Sequence, residues 1–345
     1  MCDTRWALEL KLHAFELPLK RPFVTSQVVR RTQKTLVVEL RDGDVAGYGE
    51  ATVNEYYGST IENMSAAVET LRNDLQAHTF TTPDDFHEVL RIGTWPSAFA
   101  RCAVDEAAHD LWGKVQGKPL RDLWGLESSR AALSSYTIGL DTIDAMLEKL
   151  DEAPGWPAYK IKLGRQDDVD IVRAIRARAK AALRVDANGG WSVDETIEKS
   201  RALADLGVEM IEQPLPPTDL DGMKRVFAES AVSLFADESC CTLADIEHCQ
   251  DRFHGINIKL TKCGGLSAAR AMITSARRHG LRVMIGCMVE STVGISAAAQ
   301  LLPLVDAADL DGANLLAQDI ATGARIERGV CRYSDRPGTG AELLT

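Results

Sequence analysis

Tyr159-Lys160-Ile161-Lys162-Leu163-Gly164 is the stretch on which the fold turns. Gly155 and Pro157 punctuate its approach and Gly164 closes it, so its β-compatible residues read as a short buried strand. Side chains alternate faces along a strand, which points Lys160 and Lys162 the same way. Two ammonium groups on one buried face are unfavourable unless anions stand close by or one of them gives up its proton. The anions follow at regular distances. Asp186 ends the run Leu183-Arg184-Val185-Asp186, Glu212 ends Glu209-Met210-Ile211-Glu212, and Asp237 ends Val232-Ser233-Leu234-Phe235-Ala236-Asp237. Each carboxylate therefore sits at the C-terminal tip of an apolar run.

Outward from that stretch, the chain from about residue 131 alternates strands with helices. Strands are expected at 133–139, 158–164, 182–188, 208–213, 232–238, 255–261, 281–287 and 306–311. One intervening helix announces its start with the capping box Ser192-Val193-Asp194-Glu195. Eight strands and seven helices predict a parallel barrel, and right-handed crossovers bring all strand C-termini to one mouth. Before it, Leu8, Leu10 and Leu12 alternate with polar residues, and a strand at 35–41 turns through Asp42-Gly43-Asp44 into another ending near Glu50. Apolar residues then recur at helical spacing at Ile61, Met64, Val68, Leu71 and Leu75, and again at Val104, Ala108, Leu111 and Val115. Strands followed by helices indicate an α+β domain over 1–125, with the barrel over 126–320 and a segment over 321–345 that returns to the first domain.

The chain of 345 residues, 45% apolar, can bury a core of that size. A formal charge of −11 argues against nucleic acid and anionic membrane surfaces, which are bound by clustered Lys and Arg. The eight cysteines show neither metal-type nor disulfide-framework spacing, no run approaches the ~18 apolar residues of a membrane span, and the first residues lack the apolar core of a signal peptide. A reduced cytoplasmic setting is expected.

The barrel turns spacing into chemistry. Asp186, Glu212 and Asp237 come from three successive strand tips and offer three hard oxygen ligands with coordination positions left over, which suits Mg²⁺. Acids at strand ends otherwise cap helices or pair with Arg, but three at matching positions opposite two lysines point to a metal site. The next strand, Ile256-Asn257-Ile258-Lys259-Leu260-Thr261-Lys262, sets Lys259 across the mouth from Lys162. Two bases facing one carbon are what a reversible inversion requires: one removes a proton and the other returns one to the opposite face. Lys262, Asn257, Asn188 and Glu238 are expected to support this group from behind.

These motifs, Lys160-x-Lys162, Asp186-Ala187-Asn188, Glu212-Gln213-Pro214, Ala236-Asp237-Glu238-Ser239 and Asn257-Ile258-Lys259 with Cys263-Gly264-Gly265, resemble the muconate lactonizing enzyme subgroup of the enolase superfamily. The resemblance runs from Arg21-Pro22-Phe23 to Pro337-Gly338-Thr339-Gly340. It implies an α+β capping domain over a modified (β/α)7β TIM barrel, one catalytic Mg²⁺ and paired lysine bases, with Lys160 holding the substrate carboxylate. A racemase-like site with a His base at the seventh strand is disfavoured, because that strand ends Ile285-Gly286-Cys287-Met288.

Within the subgroup, Asp309-Leu310-Asp311 discriminates. Carboxylates at i and i+2 face one way into the mouth and attract an ammonium. They resemble the Asp-x-Asp feature with which dipeptide epimerases hold the free α-ammonium, and Gly286-Cys287-Met288-Val289-Glu290-Ser291 is similar to their seventh-strand segment. Thr137, Cys287, Met288, Tyr56 and Val28 complete the expected substrate contacts. Val28 stands where the Ala-Glu epimerases of the family place an Arg, with Arg30 and Arg31 in a shifted register, so an apolar or cationic second residue is expected. The resemblance thus implies a Mg²⁺-dependent dipeptide epimerase, expected as a homo-oligomer. An N-acylamino-acid racemase, an o-succinylbenzoate synthase or a cycloisomerase would use the same metal and lysines without the ammonium clamp.

Overall fold

A computed structural model describes residues 8–24, 29–77, 82–85 and 97–344. Three antiparallel strands open the chain, β1 (Glu9–Val24), β2 (Val29–Asp42) and β3 (Val45–Thr52), paired in that order. The Asp-Gly signal closes β2 onto β3 as a two-residue turn, with Asp42 opposite Val45 and Gly43 at a left-handed φ of 57°. β1 runs well past the expected 8–12, its register shifting between Pro18 and Phe23, where the alternation that marks a strand is lost in Lys20-Arg21-Pro22.

The helix expected over 61–75 is two helices, α1 (Ile61–Glu69) and α2 (Arg72–Ala77). Between them the Thr70 hydroxyl donates to Ala67 O at 2.6 Å, competing for a carbonyl that would otherwise continue the ladder. The longer α3 (Ala98–Val115) lies on the sheet so closely that a Cβ at Gly47 would stand 2.4 Å from Ala107 O, and one at Gly49 2.1 Å from Ala103 O. Val38, Leu40, Met64, Val104 and Leu111 form the core of this layer.

After a short α4 (Leu120–Leu123), strands and helices alternate: β4 (Tyr136–Ile138), α5 (Ile143–Glu152), β5 (Ala158–Lys162), α6 (Asp168–Arg178), β6 (Ala182–Asp186), α7 (Val193–Asp205), β7 (Val208–Glu212), α8 (Leu220–Glu229), β8 (Ser233–Ala236), α9 (Ile246–Cys249), β9 (Gly255–Lys259), α10 (Leu260–Cys263), α11 (Leu266–Arg278), β10 (Arg282–Gly286), α12 (Thr292–Ala299) and β11 (Ala307–Asp309). The eight strands are parallel and in sequential order, and a parallel bridge from Ser134 to Ala308 brings the first edge to the last. This is the predicted barrel. Its strands are shorter than expected at their C-termini because Asn188, Gln213 and Glu238 have already turned into loops, and 260–261 into α10. Met210, Phe235, Met284 and Ala307 fill the barrel interior below the mouth.

The chain ends in two small pairings, β12 (Ala321–Thr322) with β15 (Glu342–Leu343) and β13 (Arg325–Glu327) with β14 (Val330–Arg332). Asp110 of α3 accepts the Thr339 N–H at 2.7 Å, and Lys114 donates to Ala341 O at 3.0 Å. Among the described residues no helix is long and apolar enough to cross a membrane.

Candidate active site

Strand register carries the functional side chains to one level. Lys162 pairs with Asp186 across β5 and β6, Asp186 with Glu212 across β6 and β7, and Gly286 stands beside both Lys259 and Asp309. Asp237 follows the last residue of β8. Asp186, Glu212 and Asp237 each bring a carboxylate oxygen within 4.8 Å of the others, and all three are buried. The predicted metal acids therefore converge.

The lysines stand on these acids. Lys162 Nζ lies 2.6 Å from Asp186 Oδ2, and Lys259 Nζ lies 2.7 Å from Asp237 Oδ2. Lys160 bridges Glu212 at 2.8 Å, Asp309 at 2.8 Å and Asp186 at 3.2 Å. Burial disfavours its charge, yet Asp309, Glu212 and Asp186 together hold its pKa well above the usual value. Glu212 is pushed up to about 7, first by burial and then by neighbouring Asp186. In Asp237 the pull of Lys259 and Lys262 overcomes burial and keeps the carboxyl well below the usual range. Lys262 donates to Asp237 Oδ1 at 2.5 Å, Asn257 to Glu212 at 2.8 Å, and Asn188 joins Lys162 (3.3 Å) to Glu238 (3.2 Å). Lys262 and Asn257 thus stand behind the acids, whereas Asn188 and Glu238 line the open mouth itself.

Asp309 and Asp311 share Thr137, whose hydroxyl lies 3.3 Å from the first and 3.0 Å from the second, while the Thr137 N–H donates to Asp311 Oδ2 at 2.6 Å. Their equivalence on one strand face needs correcting. β11 ends at Asp309, and Asp311 begins the 3-10 turn Gly312–Leu315. Asp309 is an ion-pair partner of Lys160, whereas burial and the nearby Asp309 charge push Asp311 up to about 7. Among the described residues no ammonium or guanidinium group pairs with Asp311.

A cavity of about 510 Å³ opens over this group, between the barrel mouth and the loops of the first sheet. Thr137, Cys287, Met288 and the half-exposed Tyr56 line it, as expected. Val28 lies outside the described residues. Arg30, expected with Arg31 in a shifted register, also lines the cavity, facing the charge of Glu55 and bonded to Gln33 at 3.1 Å, while Arg31 is exposed. Alternation alone would set residue 31, not 30, on the face of the buried Gln33, so the place on the cavity wall and the bond to Gln33, not the pleat, single out Arg30.

The sequence reading gave no role to a second buried acidic group beneath the Cys287–Met288 wall. Glu290 accepts the Met288 N–H at 2.8 Å, and burial followed by the charge of Glu50 pushes it up to about 8. Glu50, from β3, reaches the N-terminus of α12 and accepts from Ser291 N (3.0 Å) and Gly294 N (3.0 Å), and Glu106 of α3 accepts the Glu50 N–H at 3.0 Å. That Glu290 is the single charged residue between Arg282 and Asp306 is the available signal.

Two family models match: "Mandelate racemase / muconate lactonizing enzyme, N-terminal domain" over residues 7–125 and "Enolase C-terminal domain-like" over 143–345. An L-Ala-D/L-amino acid epimerase of Maribacter is 47% identical over 337 residues, covering 97% of this chain and 99% of its own. A dipeptide epimerase of Enterococcus faecalis, solved with Mg and L-Leu-L-Tyr, superposes with a TM-score of 0.90 at 30% identity, covering 98% and 99% of the two chains. One from Methylococcus capsulatus, solved with Mg and L-Arg-D-Lys, gives 0.88 at 30% identity over 99% and 100%.

Proposed function

The chain belongs to the enolase superfamily, in the branch of the mandelate racemases and muconate lactonizing enzymes, and from that membership we propose a dipeptide epimerase with two lysine bases. It is an isomerase, and Mg²⁺ is its cofactor. Asp186, Glu212 and Asp237 fit that ion: the donor set is all hard oxygen, and Glu212 is driven toward its neutral form by burial and by anions that the lysines do not fully offset. When bound, Mg²⁺ supplies fixed positive charge beside the substrate carboxylate as electron density builds there.

The remaining work belongs to the chain's own side chains. Lys162 and Lys259 flank the place of the α-carbon of the C-terminal residue. The amine of one takes the α-proton, the C–H electrons pass into the adjoining carboxylate, and the ammonium of the other protonates the opposite face. Lys160 balances the developing charge from the barrel floor. Asp311, with Asp309 behind it, receives the α-ammonium of the first residue and so fixes which carbon lies between the lysines.

The observation that carries the dipeptide reading is the pair Asp309 and Asp311 on Thr137, with no cation paired to Asp311 among the described residues. An N-acylamino acid would leave that acid buried beside a neutral amide. Support for a broad second residue comes from the cavity wall, where Tyr56, Met288 and Leu315 offer apolar surface and Arg30 and Glu55 offer one charge of each sign. The Maribacter relative's name points to similar breadth. The test is turnover of L-Ala-L-Leu and L-Ala-L-Glu against their N-acetyl forms in deuterated water. Turnover of N-acylamino acids with no activity on free dipeptides would overturn the proposal.

A further inference from the structure

A buried carboxylate that the chemistry above leaves unused sits just beyond β5. Asp168, the first residue of α6, is 0% exposed. Its Oδ1 accepts the N–H groups of Gly164 at 3.0 Å and Arg165 at 2.9 Å, and its Oδ2 accepts the indole N–H of Trp191 at 2.7 Å and the Lys199 ammonium at 2.9 Å. The donors come from separate elements. Gly164 and Arg165 form the loop after β5, Trp191 closes the loop after β6, and Lys199 lies on α7, its ammonium 4.7 Å above the Trp191 ring. The Trp191 backbone N–H in turn donates to Pro214 O at 3.0 Å, in the loop after β7. One carboxylate therefore ties together the loops after the strands that carry Lys162, Asp186 and Glu212.

Lys162 is the side chain most exposed to this tie. It stands two residues before Gly164, whose φ of 129° is a conformation that the glycine backbone does not by itself enforce. Its ammonium touches Asp186 and Asn188, and Asn188 belongs to the loop that Trp191 closes. Lys259 across the mouth is held differently. The turn after it is gripped by α3, with Arg101 donating to Cys263 O at 2.6 Å and Asp105 accepting the Ser267 N–H at 3.1 Å. That grip is close: a Cβ at Gly264 would lie 2.1 Å from Arg101 Nε, and one at Gly265 2.3 Å from Asp105 Oδ2. The two lysines rest on separate anchors, one inside the barrel and one in the first domain.

We infer that Asp168 is a positioning residue for Lys162, so that loosening it impairs proton transfer at one face of the substrate and spares the other. The inference rests on the two-lysine reading. Displacing a reacting group by about 1 Å costs on the order of a hundredfold in rate. Microscopic reversibility forces inversion to slow equally in both directions, so the informative quantity is deuterium wash-in to recovered substrate that has not inverted. Each epimer acquires that label through the single lysine on its own side.

The experiment uses the full-length Mg²⁺-loaded enzyme with L-Ala-L-Leu and L-Ala-D-Leu in deuterated water, comparing wild type, Lys162→Ala, Asp168→Asn and Trp191→Phe. Lys162→Ala identifies the epimer that it serves by abolishing its wash-in. Asp168→Asn should lower wash-in for that same epimer by about tenfold to a hundredfold and leave the other within about twofold. Trp191→Phe, which keeps the carboxylate and removes one of its donors, should show a smaller loss on the same epimer, and it carries the test if Asp168→Asn does not fold. Equal losses for both epimers in the folded variants, with Lys162→Ala still separating them, overturn the role of Asp168 alone. If Lys162→Ala itself lowers both epimers alike, the two-lysine reading falls and the inference with it.

Discussion

The proposed role of Asp311 as acceptor of the substrate ammonium predicts a pH limit on catalysis whose size follows from the site. Its carboxyl is pushed up to about 7 by burial and by Asp309, so it is protonated below that pH in the free enzyme. A protonated Asp311 offers no charge to the substrate ammonium, and kcat/KM reports the ionisations of the free enzyme. With a pKa of about 7, roughly 1% of the enzyme carries the carboxylate at pH 5, and the wild type should lose about a hundredfold in kcat/KM for L-Ala-L-Leu between pH 8 and pH 5 from this group alone. Asp311→Asn keeps an oxygen to accept the Thr137 N–H and removes the titration. Its kcat/KM should be about a hundredfold lower at pH 8, mostly through KM, and the gap to wild type should close as pH falls toward 5. Initial rates at six pH values for both proteins provide the measurement. A wild-type to variant ratio that stays constant from pH 8 to pH 5 would refute the assignment of the ammonium to an ionised Asp311.

The other expectations concern the metal, the second residue and the buried glutamates. Exhaustive chelation should abolish turnover and Mg²⁺ restore it, and Glu212→Gln should lose turnover while keeping the wild-type melting temperature within a few degrees; full activity after chelation would count against the metal site. Arg30→Ala should lower kcat/KM for L-Ala-L-Glu by about tenfold and for L-Ala-L-Leu by less than about twofold, as expected for one partly buried ion pair, and equal losses would remove Arg30 from specificity. Glu290 holds its proton up to about 8 in the folded state against an ordinary value of 4.5, so the stability it lends is complete below about 4.5 and is lost as pH rises through 8. Glu290→Gln should therefore gain on wild type by at most about 5 kcal/mol between pH 5 and pH 8.5 in urea unfolding, and an unchanged difference across that range would show that the carboxyl ionises normally.

Much of this was legible in the chain because barrel strands are buried on both faces and end in polar tips. Lys160, Lys162, Asp186, Glu212, Asp237 and Lys259 each closed or followed an apolar run, and parallel register did the rest. What could not be read was partnership at a distance. That Lys160 would share itself with Asp309, 149 residues on, depends on β11 returning beside β4 to complete the barrel. Arg30 could not be told from Arg31 because alternation fixes that they face apart but not which one reaches the cavity, and the buried Gln33, two residues from Arg31, would favour the wrong one. The break at Thr70 was invisible to apolar spacing, since Leu71 still falls on the buried side.

The bonds from Glu50 to Ser291 span 241 positions of sequence, and that span sets an order of events during synthesis. Glu50 leaves the ribosome early, in a sheet that can pair at once, but the N–H groups that donate to its carboxylate are made at the far end of the barrel. At ~5–20 residues per second the wait is roughly 12 to 50 s. Throughout it the first sheet and α3 hold Glu50, and α3 also holds Asp110, whose partner Thr339 comes later still. The nascent first domain therefore spends most of translation with ionised carboxylates on a surface that ends up dry. Hydration keeps that surface from closing on anything else until the last barrel elements arrive to cover it.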